Sequence, residues 1–448
     1  MNKAAEQFAA AVGLQQAGRT SEAAALCETI LADVPDHPQA LHLLGALRFA
    51  AGDAAAGVAL VRRAVLALPD YPSAHFNLAA MLVSLGDWDG AGTHYGRAAT
   101  LQPDHPLVAE RYAGVLLLLG RYDEAEKAAT TALRRAPGSA NAQAYLGAVS
   151  HARLDFPAAT RWYERALAVD PGQDLARDGL DLARQRLAFA SNGLQSSHGP
   201  ARQVFMSALA GRLRDRPAPL RVLEIGSYMG ASAVTWARAL DRLDGRPSVL
   251  VCVDSWGDVA DQAYATVMAG SLKSGLAYAT FLSNVAALPP SVTVEPLRGA
   301  SDAVLATLPA ASFDLIYVDG SHLYEDVRRD LRHALRLVRP GGFICGDDLE
   351  LQAGDCDRTF AWDRRGLDTA TDPRSGSFFH PGVTLAVDEA LGRVSVYDGF
   401  WVVQQNGSGF QAVDLAGAAA LLPLHWPRGI VEQLRARFAR SGELKIVA

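Results

Sequence analysis

Cysteine is scarce and unpaired in this sequence. Cys27, Cys252, Cys345 and Cys356 lie far apart with no C-x-x-C among them, which argues against a disulfide framework or a zinc knuckle. Excess positive charge is missing too. The formal net charge is −6, so nothing electrostatic points to nucleic acid or an anionic membrane as a partner. Long apolar runs are lacking: stretches such as AGVLLLLG at 113–120 fall far short of the ~20 residues that span a bilayer. The opening MNKAAEQFAAAVGLQQAG breaks its apolar pattern with glutamate and glutamine, a poor signal peptide. The expectation is a soluble, cytoplasmic protein. What is there is globular: 50% of residues are hydrophobic and 20% charged, and 448 residues exceed one ordinary core, so two or three domains are expected.

The first half of the chain is periodic. Prolines fall at 35, 69, 103, 137 and 171, each 34 residues after the last. Gly18, Gly52, Gly86 and Gly120 keep the same step, with Leu154 in the fifth slot. Small residues do so at Ala11, Gly45, Ala79, Ala113 and Gly147, and again at Ala23, Gly57, Ala91, Ala125 and Ala159. These registers describe a helix–turn–helix unit: small side chains where two helices cross, glycine in the turn, proline ending the second helix. The pattern resembles the tetratricopeptide repeat over residues 4 to about 173, with 174–190 as a capping helix. The resemblance implies an all-α solenoid at 1–190 that binds a protein or peptide partner in its groove. Candidate groove residues are His42, Phe76 and Glu110, unless they are merely structural. No row of basic residues and asparagines marks a carboxylate clamp. SNGLQSSHGP at 191–200 reads as a linker.

From 201 onward strands and helices alternate, which specifies a mostly parallel sheet with ligands at the strands' carboxyl ends. LRVLEIGSYMGASAVTWARAL gives a strand, a glycine turn spaced Glu224-x-Gly226-x-x-x-Gly230, and a helix from about Ala231. SVLVCVDSWGD ends a second strand in Asp254, 28 residues after Gly226. That acid suits a ribose diol, with a helix N-cap as the alternative. Further strands end near Gly299-Ala300-Ser301, at Asp319 in FDLIYVDG, and at Asp347-Asp348 in GGFICGDD.

LEIGSYMGASA, VCVDSW, FDLIYVDGSHLYEDVRRDL and VRPGGFICGDD together resemble the class I S-adenosylmethionine-dependent methyltransferases. More narrowly they resemble the group containing catechol-type and macrolide-sugar O-methyltransferases, over roughly 201–405. The resemblance implies a Rossmann-like α/β domain at 201–448. It implies that Glu224, Gly226, Ser227, Tyr228, Gly230 and Ser232 line the methionine and ribose side of the cofactor. Asp254 would hold the ribose, Trp256 would stack near the adenine, and Ser301 would sit at its edge.

Carboxylates at the ends of two neighbouring strands call for a counter-charge. Asp319, Asp347 and Asp348 are therefore expected to share a divalent cation, Mg²⁺ by preference for oxygen donors. The alternative is that Asp347-Asp348 cap a loop. His322, three residues past Asp319, is the candidate base, with an N-cap or loop histidine as the alternative. On YEDVRRDLRHALR, Leu323, Val327, Leu331, Ala334 and Leu335 are expected to face the sheet and the charged residues to face solvent. The polar stretch 349–379 reads as a lid, with Trp362, Arg364 and Arg365 as substrate contacts. His380 is expected to be structural, with entry into the site as the alternative, and 410–448 read as additional helix with no catalytic signal. The acceptor would be a hydroxylated small molecule or a glycan sugar. The competing reading is a repeat-based adaptor whose second domain binds cofactor without catalysis.

Overall fold

The computed structural model describes residues 3–184, 187, 199–257, 272, 275–407 and 409–447. Most of the predicted linker, 191–198, lies outside them. The chain divides into two compact units, Met1–Gly179 and Leu180–Ala448. Among the described residues no helix is long and apolar enough to cross a membrane.

The first unit is a stack of helix pairs: Lys3–Gln16 with Thr20–Asp33, Pro38–Ala50 with Ala54–Ala67, Pro72–Ser84 with Trp88–Leu101, Pro106–Leu118 with Tyr122–Arg135, and Ala140–Ala152 with Phe156–Val169. The helix Asp174–Arg184 follows. Each serial proline stands just past the residue that caps its second helix. The turn glycines are left-handed, with φ from 68° to 94°, and Leu154 takes the same turn at φ 62°. The small-residue registers are the helix crossings. A β-carbon on Gly45 would stand 2.6 Å from Val61, and one on Gly57 would stand 2.7 Å from Phe49. Tyr163 fills the space that Gly147 and Gly179 leave open.

The groove candidates are tied into the packing between repeats. His42 hydrogen-bonds Tyr71 through Nδ1 (3.0 Å) and Asn77 through Nε2 (2.7 Å). Phe76 packs edge-on against Tyr95. Glu110 accepts from Ser139 Oγ (2.6 Å) and Asn141 Nδ2 (3.0 Å).

The second unit is an eight-stranded sheet between two helical layers. Its strands are β1 (Leu220–Ile225), β2 (Ser248–Asp254), β3 (Val292–Arg298), β4 (Phe313–Val318) and β5 (Val338–Gly346), then β8 (Ser395–Tyr397), β9 (Phe400–Asn406) and β10 (Gly409–Ala412). Between β5 and β8 a small separate ladder pairs β6 (Ala370–Thr371) with β7 (Phe378–Phe379). The order is β3-β2-β1-β4-β5-β9-β10, with β8 on β9. The first five strands run parallel and β9 joins β5 antiparallel. The loops after β1, β2 and β4 therefore open at one rim.

Alternate strand residues feed the two cores: Val222, Leu315 and Tyr317 on one face, Leu223, Ile316 and Val318 on the other. Helix Arg428–Ser441, in the stretch read as additional helix, covers the first face through Phe438 edge-on against Phe205. Helix Tyr324–Leu337 buries Tyr324, Val327, Leu331, Ala334 and Leu337 on the second. Two expectations for this helix are corrected. Leu335 is exposed, and Asp330 is buried rather than solvated. The i+3 step from Val327 puts position 330 on the inner face, where Ser301 supplies a hydrogen bond.

Candidate functional site

The chain leaves β1 at Ile225 and turns at Gly226, φ 87°. A β-carbon there would run into the carbonyl of Asp319, so only glycine lets the β1 and β4 ends meet. Asp254, at the end of β2, clamps the turn. Its Oδ2 accepts from the amides of Ser227 (3.0 Å) and Tyr228 (2.8 Å), and its Oδ1 from that of Trp256 (2.7 Å). Tyr228 and Trp256 are held at φ 42° and 39°, strained values for side-chain-bearing residues. Gly230, φ 90°, leads into the helix Ala231–Ala239.

This turn walls a cavity of about 660 Å³. Of the residues predicted to hold a cofactor, Gly226, Ser227, Tyr228, Ser232, Asp254 and Ser301 line it. Glu224 stands behind the turn, fully buried, its Oε2 accepting from Ser227 Oγ (2.8 Å) and Cys252 Sγ (3.3 Å). Burial raises its pKa to about 7. Trp256 is also fully buried; it packs on Tyr278 and Phe281 and donates to the Tyr228 carbonyl at 2.6 Å. Its ring braces the turn from the core side.

The ends of β4 and β5 bring Asp319, His322, Asp347 and Asp348 to the same cavity. Asp319 Oδ2 accepts from the Tyr317 hydroxyl at 3.0 Å. Burial, then the charges of Asp347 and Asp348, push its pKa well above the usual carboxylate range. Burial and Asp348 raise Asp347 to about 7.

The cation beside these acids in the structure is Arg202, from the helix Gly199–Ala210 before β1. Its guanidinium reaches Asp347 Oδ1 (2.8 Å), Asp348 Oδ1 (2.5 Å) and Glu350 Oε1 (2.5 Å). It also donates to the Asp398 carbonyl at 2.7 Å.

His322 is gripped at both nitrogens, Nδ1 by Asp368 (2.5 Å) and Nε2 by Asp348 (2.9 Å). Burial opposes its protonation, but the bonds to these carboxylates outweigh burial and raise its pKa well above the ordinary value. Burial alone would raise Asp348; His322 and Arg202 prevail and hold it low. His380 bonds Glu350 at 2.9 Å and stands edge-on to His322, ring centres 4.7 Å apart.

A second candidate donor set lies beside the expected one. Among the described residues, the group whose ligand atoms all lie within 4.8 Å of one another is His322, Asp348 and His380, not the three aspartates. Arg202 engages one oxygen of Asp347 and one of Asp348, and His322 engages the other oxygen of Asp348. His380 thus stands beside His322 and Asp348, as the alternative to a structural role had it. Its signal was local: in HPG, Pro381 starts a helix and Gly382 packs against the His322 carbonyl, where a β-carbon would collide. Arg202, Glu350 and Asp368 carried no such signal. The predicted lid is partly ordered by the helix Arg358–Asp363 and the β6–β7 ladder. Its Trp362 is half exposed with Arg365 over the ring at 4.2 Å, and Arg364 lies over Phe360 at 3.7 Å.

Comparison with known proteins agrees with this division. Residues 223–349 match the family model described as a methyltransferase domain, and residues 14–82 and 82–149 each match the tetratricopeptide repeat. The chain therefore joins a tetratricopeptide-repeat region to a methyltransferase domain. Among solved structures, it is similar to YrrB, described as a TPR protein with an unusual peptide-binding site. Identity there is 19% over 39% of this chain and 91% of that one, TM-score 0.37. It is also similar to MamA protein, at 16% identity over 38% of this chain and 92% of that one, TM-score 0.34. No curated protein matches the sequence significantly.

Proposed function

We propose that the α/β unit is an S-adenosylmethionine-dependent O-methyltransferase that uses a divalent cation of the magnesium type. It acts on a hydroxyl of a small molecule or glycan sugar, and the repeat array recruits a protein or peptide partner or the substrate. The observation that carries this reading is one cavity where the glycine turn and Asp254 meet Asp319, His322, Asp347 and Asp348. Its size suits a ligand of nucleoside dimensions.

The residues fit the cofactor. Gly226 leaves the backbone bare at the cavity wall. Two residues before it, Glu224 keeps Oε1 without a hydrogen-bond partner among the described residues, an unmet acceptor behind the turn rather than in the cavity lining. They also fit a cation. Asp319 and Asp347 are part-buried acids that repel each other, and with Asp348 they would hold it through oxygen. When bound, the cofactor supplies a sulfonium methyl group and the cation lowers the pKa of an acceptor hydroxyl.

The chain's own residues orient and take the proton. Asp368 accepts the Nδ1 proton of His322, and Nε2 receives the hydroxyl proton from the neutral ring, once it has released the proton it shares with Asp348. Asp348, 2.9 Å away, stabilises the imidazolium that results. Incubation with methyl-labelled cofactor, magnesium and a metabolite extract should label a product, and His322→Ala should abolish the label. Failure to bind S-adenosylmethionine, with and without magnesium, contradicts the reading.

A further inference from the structure

The cavity has a wall besides the glycine turn and the acidic rim. Ala300 and Ser301 beyond β3, Gly320 and Ser321 beyond β4, and Asp330 on the helix Tyr324–Leu337 build it. Asp330 is only 2% exposed. Its Oδ1 accepts from Ser301 Oγ at 2.7 Å, the one side-chain hydrogen bond it makes among the described residues. Its Oδ2 lies 3.3 Å from where a β-carbon on Gly320 would stand. Glycine at 320 thus leaves that oxygen uncovered beside the cavity.

Among the described residues Ser301 is the hydrogen-bond donor to this carboxyl, so a ligand N–H placed at Oδ2, on the cavity side, gains an acceptor in a site largely closed to water. Ala300 and Gly320 add almost no bulk on either side, which leaves a slot for a flat group. The glycine turn lies on the amino-acid side of a cofactor whose ribose reaches Asp254. The wall beyond β3 and β4 then faces its base.

We propose that Asp330, oriented by Ser301, accepts a hydrogen bond from the exocyclic amine of the cofactor's adenine and so selects adenine over other purines. This rests on the S-adenosylmethionine reading above and names the residue that reads the base. Ser301 acts through Asp330 as a positioning residue. The competing account makes Asp330 only a pin between the helices Ser301–Thr307 and Tyr324–Leu337. Burial raises the Asp330 pKa to about 6; its oxygen facing the slot accepts in either protonation state.

The test is calorimetric titration of the full-length protein with S-adenosylhomocysteine and with S-inosylhomocysteine, which carries a carbonyl in place of the amine. The wild type should bind the adenosyl compound at least about tenfold more tightly, because a site built to accept an N–H rejects a ligand lacking it. Asp330→Asn keeps the size of the side chain and a bond to Ser301, and should shrink that ratio about tenfold or more. Gly320→Ala, which crowds Oδ2 without touching the carboxyl, should shift the ratio the same way. Equal binding of both ligands by the wild type, or an unchanged ratio in both variants, overturns the inference while leaving the cofactor reading intact. Binding of neither ligand by the wild type overturns both.

Discussion

Glycines in the two units answer to different constraints. In the repeat array Gly18, Gly52, Gly86 and Gly120 have left-handed φ, yet a side chain on any of them would meet nothing within 4 Å. The fifth turn makes the same bend with Leu154. In the α/β unit Gly226 has a similar φ, but a side chain there would collide with the backbone of Asp319. The array's turns are local devices, replaceable one at a time. The turn at the cavity is a junction between two strands and tolerates nothing else.

The largest effect expected from breaking this contrast is at the acidic rim. Arg202→Ala would take the shared guanidinium from three part-buried carboxylates at once, leaving Asp347 without a cation while Asp348 and Glu350 keep His322 and His380. It should destabilise the α/β unit by about 3–5 kcal/mol in denaturant unfolding, and magnesium should recover part of the loss. Recovery by zinc but not magnesium would favour the His322–Asp348–His380 set over the aspartates.

Gly226→Ala comes next. Positive φ and the collision together should remove about 2–4 kcal/mol and abolish cofactor binding in titration. By contrast, Gly52→Ala should lower the array's stability by only about 1 kcal/mol and leave cofactor binding unchanged. Leu154→Gly should change stability by less than about 1 kcal/mol, and a larger loss would show that Leu154 does more than turn the chain.

Acid response sharpens the comparison further. Glu224 has its pKa raised by burial from 4.5 to about 7. The folded state holds that proton where the unfolded chain has released it, so its stabilising contribution is full below pH 4.5 and lost as pH rises to 7. His42 has its pKa lowered by burial from 6.5 to about 4. The unfolded chain takes that proton first, so its contribution is present above pH 6.5 and lost as pH falls to 4. Glu224→Gln and His42→Asn should change the pH dependence of melting of their own units in opposite senses. The smallest effect is expected at Arg97–Asp70, an exposed pair, where Arg97→Ala should cost less than about 0.5 kcal/mol.

The same contrast explains what could be read in advance. The array was legible because its determinants recur every 34 residues and act within one helix pair. The sheet order and the glycine turn were legible because strand, turn and helix are adjacent in sequence. Asp319 and Asp347-Asp348 were visible as polar residues ending apolar runs, and His322 by its place three residues past Asp319. Arg202 was not, since it lies 145 residues before Asp347 and reaches the site only once helix Gly199–Ala210 packs beside the sheet. Asp330 was hidden by its neighbours: among eight charged or histidine side chains in YEDVRRDLRHALR, periodicity alone marked it as solvated, though one turn from Val327 it points inward.

The most direct measurement is calorimetric titration of the full-length protein with S-adenosylmethionine, wild type beside Asp254→Asn. Saturable binding at one site per chain, weakened at least about tenfold by the substitution, is the result expected if the turn and Asp254 form a cofactor site. No binding by the wild type, or equal binding by both proteins, would contradict it.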